Sequence, residues 1–89
     1  MSLAFPNECR SFIPTKNHVR FWGHINAIEI TFLVEEGALR KICPTVESTE
    51  KALLEAFDSS VEKIHQVACD VYKRGRDRSY IYLLSASDF

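Results

Sequence analysis

Little in this chain ties it to one chemistry. Its 89 residues include three cysteines, three glycines, three prolines and a single tryptophan. Cys9, Cys43 and Cys69 are odd in number and no two form a C-x-x-C pair, which argues against a disulfide framework and a zinc finger. Reduced, mostly buried thiols of a cytoplasmic protein are the expectation. Charge of one sign is lacking too. Eleven basic residues face 12 acidic ones, and a net charge of −1 gives no overall field toward nucleic acid or an acidic membrane. No apolar run nears the roughly 20 residues of a membrane span. The start, MSLAFPNECR, lacks the basic head and apolar stretch of a signal peptide. Repeats, low-complexity tracts and linkers are absent as well.

What is present is ordinary for a folded chain. Hydrophobic residues make up 46% and charged residues 26%, which speaks against disorder and for a core. The length suits one domain over residues 1–89. The first 17 residues read as irregular, with Leu3 and Phe5 as the start of a short strand that Pro6 and Asn7 end. Lys16 to His18 reads as a turn. From His18 to Val34 the pattern has period two. Val19 and Phe21 point one way, and His18, Arg20, Trp22 and His24 the other. Ile28, Ile30, Phe32 and Val34 form the core face of the second run, opposite Glu29, Thr31 and Leu33. Gly23 and Asn26 supply the turn of the hairpin. Tyr80 to Leu84 alternates again, with Ile81 and Leu83 opposing Tyr80 and Tyr82.

Two helical stretches separate these strands. Glu35 to Cys43 opens with acids and closes with Arg40 and Lys41, matching the helix dipole, and Pro44 stops it. Beyond it, Leu53, Phe57, Val61, Ile64, Ala68 and Val71 recur at steps of three and four. That stripe predicts one helix over 48–74, about 27 residues and roughly 40 Å long, with Ser48 as N-cap and Gly75 as its stop. The expected fold is α+β in two layers. A small antiparallel sheet of three to four strands packs on this long helix, and the short helix is an addition.

Four stretches together resemble a known family. They are LAFPN near the start, VRFWGH, the Phe57-Asp58, Ile64-His65, Ala68 and Val71-Tyr72 spacing, and the closing SDF. The resemblance is to the small bacterial proteins grouped as domain-of-unknown-function family 1488. It covers almost the whole chain. It implies a compact α+β domain in a bacterial cytoplasm, and it supplies no activity and no site residues.

The candidate site is a surface. With Val19, Phe21, Ile81 and Leu83 under the helix, Arg20, Trp22, Tyr80, Tyr82, Thr31 and Leu33 face away from it. A face so aromatic needs a cover. The N-terminal segment through Phe5, Phe12 or Ile13, a second copy of the protein, or a stacked ligand or nucleic acid would each serve. The turn Lys73 to Arg78 carries four basic residues and reads first as a solvated, charged turn; in the alternative, phosphate contact, Arg74 and Arg76 extend the candidate surface with Arg10, Lys16 and Arg20.

Other constellations read more simply as structure. His65 lies on the border of the apolar stripe, near Asp58, and reads as a ring covering apolar surface. As a catalytic residue it lacks a partner visible in sequence. His65 and Cys69, four apart, make at most half a metal site, with Cys43 or His24 as distant completions. Ser48 to Lys51 matches S-x-x-K, but that chemistry belongs to a much larger fold with two further motifs. No catalytic, cofactor-binding or metal residues are assigned. The reading is a cytoplasmic, non-catalytic interaction or accessory domain, self-associating as a homodimer or meeting another protein. Single-stranded nucleic-acid binding is the alternative, and an enzyme using His65 comes third.

Overall fold

The computed structural model describes residues 3–5, 10–25, 27–74 and 81–89. Strands Arg10–Ile13 (β1), His18–Ile25 (β2) and Ile28–Val34 (β3) are followed by helices Glu36–Ile42 (α1), Glu50–Ser59 (α2) and Val61–Arg74 (α3), then by strand Ile81–Leu84 (β4) and a 3₁₀ turn at Ala86–Asp88. The fold is α+β. The four strands make one sheet in the order β1-β2-β3-β4.

β2 and β3 form where period two is strongest. Val19 lies opposite Val34, Phe21 opposite Phe32 and Gly23 opposite Ile30, and all of these are buried. Asn17, at φ 53°, closes the turn between β1 and β2 in a conformation that asparagine tolerates. α1 matches its expected bounds closely, with Glu36 in its first turn and Arg40 and Lys41 in its last. The core gathers Val19, Phe21, Ile30, Phe32, Val34 and Leu84 from one face of the sheet. Ala38, Leu39, Leu53, Phe57, Ile64 and Ala68 join them from the three helices. Phe21 and Phe32 stack at 5.2 Å. Fully burying side chains of this size stabilises by about 1.5–3 kcal/mol each.

Five expectations are corrected. The sheet is mixed, because β3 and β4 run parallel. A parallel neighbour needs a long crossover, and α1 to α3 supply it. The long helix is two helices. Ser60 has φ −124° and ψ 22°, and its N–H donates to the carbonyl of Phe57, three residues back. The Ser59 hydroxyl donates to the Ala56 carbonyl at 3.1 Å. Such serine bonds compete with the regular helical ladder. Ser48 is not the cap of α2. Thr49 is, its hydroxyl accepting from the Ala52 N–H at 3.2 Å. The stretch expected to be irregular holds β1. Gly23 lies inside β2 and not in the turn. A Cβ there would stand 2.9 Å from the Phe5 ring and 3.0 Å from Leu3. Glycine is what lets Leu3 and Phe5 lie against the sheet, where Ala4 pairs with His24.

Candidate interaction surface

Strand register sets the outer face. Arg20 lies between Ser11 on β1 and Leu33 on β3, and Leu33 lies beside Leu83 on β4. The next row runs Trp22, Thr31, Ile81. His24 opposite Glu29, and His18 opposite Ile13, close the two ends. Arg20 and Trp22 thus stand on the face expected of them, two residues apart on one strand. The guanidinium carbon sits 5.0 Å from the centre of the indole, within the range of a cation–π contact. Arg20 Nε is buried and has no hydrogen-bond acceptor among the described residues. A buried N–H without an acceptor is a standing cost to the fold.

Tyr82 is not on this face, and Ile81 and Leu83 are not under the helices. The register pairs Phe32 with Tyr82 and Val34 with Leu84, so Tyr82 and Leu84 point inward. Leu84 is fully buried. The Tyr82 ring lies 5.7 Å from Phe32 and meets Tyr72 edge-on at 5.6 Å. Ile81 and Leu83 instead keep 61% and 49% of their surface exposed. Period two fixes that these two share a face but not which face, because both sets of side chains in 80–84 are apolar or aromatic. Tyr80 and Arg76 lie outside the described residues. Arg74 ends α3, where its Nε donates to the Asp70 carbonyl at 3.3 Å. It stands in the last turn of a helix and not on a strand of the sheet. Ile28, expected in the core, is 47% exposed at the hairpin end.

The N-terminal segment does not cover this surface with Phe5 or Phe12. Both pack against the core on the helix side. Phe5 stacks on His65 at 4.0 Å, their planes 6° apart, and lies 5.9 Å from Phe21. His65 therefore spends its ring on apolar cover, as its border position suggests. Asp58 is taken by Arg10, whose Nε and a terminal nitrogen each donate at 2.8 Å. That fork ties β1 to the last turn of α2.

Burial pushes the Cys69 thiol up from its ordinary value, so the thiolate that metals and electrophiles need is disfavoured. Among the described residues no three of His, Cys, Asp and Glu stand close enough to hold a metal. Two grooves, one over Asp58 to Lys63 and one between Cys43 and Ser59, are not lined by His65.

One cluster escaped the sequence. Glu36 accepts from Asn17 Nδ2 at 3.1 Å and from Arg40 at 2.6 Å, and the Ser48 hydroxyl donates to it. Arg40 also reaches Ser48 and the Val46 carbonyl. These donors, Ser48 first and then Arg40 and Asn17, lower the Glu36 carboxyl from 4.5 to about 2. The Glu36–Arg40 spacing was legible as a helical pair, whereas Asn17 and Ser48 come from distant turns. The result is a clamp joining the β1–β2 turn, α1 and the segment before α2. The Ser48 hydroxyl does meet a carboxylate there, but one lowered to about 2 and shared with Arg40 and Asn17 is a poor base.

The family model described as "Protein of unknown function (DUF1488)" matches residues 3–84. The chain belongs to this family. No curated protein and no solved structure matches it. Among the described residues of this DUF1488 chain, no helix is long and apolar enough to cross a membrane.

Proposed function

We propose that this DUF1488 chain is a non-catalytic interaction domain that self-associates through the open face of its sheet. The observation that carries the reading is the contrast across β4. Leu84 is fully buried while Leu83 and Ile81 stand in solvent beside Leu33 and Thr31, with Trp22 on the far side of Thr31. Contiguous apolar surface of this kind marks contact sites. A second copy suits the face by charge. Its strand side chains bring one guanidinium, Arg20, and one carboxylate, Glu29, so two copies meet without a net like-charge penalty.

The size suits a weak pair. Strands about 4.8 Å apart with a rise of about 3.4 Å per residue give a face on the order of 400 Å² in plan. Interfaces near this lower end belong to transient complexes. Free thiols at Cys43 and Cys69 fit a reducing compartment such as the bacterial cytoplasm. Sedimentation equilibrium across a micromolar range tests the reading. Twice the mass of one chain at the upper end is expected, and a monomer throughout overturns it.

A competing reading is single-stranded nucleic acid stacked along His18, Arg20, Trp22 and His24. It is favoured by the placement of Glu36, Glu50, Glu55, Asp58, Glu62 and Asp70 on the helices. It is the weaker one, because a stacking platform works with a surrounding positive field and this face carries one guanidinium. Tryptophan fluorescence unchanged by oligonucleotide at low salt disposes of it.

A further inference from the structure

The geometry points to one arrangement of the pair, in which Arg20 of each copy meets Glu29 of the other across a two-fold axis near Trp22 and Thr31. The inference rests on self-association through the open face. A pair of like surfaces closes most simply around a two-fold axis, where residue i meets j and j meets i. Sheets packing face to face lie about 10 Å apart, a gap that an arginine and a glutamate span together. Arg20 and Glu29 stand one strand and four residues apart, because Glu29 pairs with His24. Exchanging these two positions between copies fixes the axis in the plane of the face.

The remaining contacts follow from that single choice. With strands about 4.8 Å apart and about 3.4 Å per residue, the strands of the two copies cross at about 40°. In the same flat projection Trp22 lies close to Trp22 of the second copy, near the axis. Ile81, the most exposed large apolar side chain of the described residues, lies against Leu83 and Leu33 of the second copy. One axis therefore pairs the two opposite charges, buries the indole and covers both exposed β4 side chains. The Arg20 guanidinium already leans over Trp22, which is the direction of the axis.

A charge-reversal cycle tests this. Native chain, Arg20→Glu, Glu29→Arg and the double variant are compared by sedimentation equilibrium, with circular dichroism as a check on folding. Glu29 is exposed and Arg20 half-buried on the outer face, away from the core between sheet and helices, so all four should fold. Each single reversal should weaken the pair by about tenfold or more, and the double variant should restore it to within about threefold of native. Trp22 emission should shift to shorter wavelength as the native pair forms. A pair that forms and is lost in Leu83→Asp, yet is indifferent to either reversal or unrestored by the double, overturns this register and leaves the proposed function standing. A native chain monomeric at high micromolar concentration overturns both.

Discussion

On the inner face of the sheet, Phe32 and Val34 of β3 and Leu84 of β4 are fully buried, while on the outer face Ile81 and Leu83 keep 61% and 49% of their surface. β4 supplies members of both sets, and the residues are equally apolar. What differs is the other side of the contact. The inner set meets side chains of α1, α2 and α3, down to a chain of rings from His65 through Phe5, Phe21 and Phe32 to Tyr82. The outer set lies in rows with Thr31 and Leu33 of β3 and stays largely in solvent. Apolar character drives burial but does not say against what. The chain's own helices cover one face, while on the other Ile81 and Leu83 keep about half or more of their surface exposed.

Substitutions on the two faces sharpen this contrast. Phe32→Ala, on the inner face, should destabilise by about 3–5 kcal/mol through lost burial and the cavity left behind. Urea unfolding measures it, and in a domain this small the variant should be largely unfolded on warming. A loss no greater than that of an outer-face alanine would erase the difference between the faces.

Leu83→Asp should do the reverse. Its effect on unfolding should stay within about 0.5 kcal/mol, while the concentration-dependent doubling of mass disappears. Should Leu83→Asp unfold the chain, the outer face is part of the core after all.

Gly23→Ala comes next and probes how the inner face reaches its edge. The added methyl would press on Phe5 and Leu3, and a loss of about 1–3 kcal/mol is expected. The amides of Ala4 and His24, each bonded to the other's carbonyl at 2.9 and 2.8 Å, should then exchange faster with solvent. Unchanged exchange there would mean that the segment is held by something other than its seat on Gly23.

The smallest effect belongs to the clamp outside both faces. Because Glu36 is held at about 2 against an ordinary 4.5, its contribution is fully present above the unfolded value. It is lost as pH falls through that window. Stability measured by urea at pH 6 and pH 3 should therefore fall less in Glu36→Gln than in the native chain. Equal slopes would show that the clamp does not act on folding.

Legibility tracked how unequal the two sides of each element are. β2 and β3 were read correctly because each alternates between clearly apolar residues and polar or mixed ones, and a one-residue slip would expose Val19 and Phe32. In β4 both sides are apolar or aromatic. Its facing was left to the Phe32–Tyr82 and Val34–Leu84 pairings. β1 was missed because all four of its residues are half-buried, so no alternation marks it. The stripe from Leu53 to Val71 gave the facing of α2 and α3 correctly. A break at Ser60 is invisible to it, since Phe57 and Ile64 still point at the sheet on either side. The surface was half legible. Arg20 and Trp22 came from period two, and Ile81 and Leu83 took the place assigned to the tyrosines.

By itself the sequence determined the α+β class, the facing of β2 and β3, the extent of α1 and the buried stripe of the helices. Each follows from neighbours within a few residues, where side-chain period and backbone geometry act directly. Only the tertiary structure decided the direction and facing of β4, the seat of Phe5 on Gly23 and the clamp on Glu36. The first depends on where 46 residues of intervening chain return the backbone beside β3, the other two on contacts between residues 12 to 19 apart, and contacts at such separations leave no periodic trace in the residues that make them.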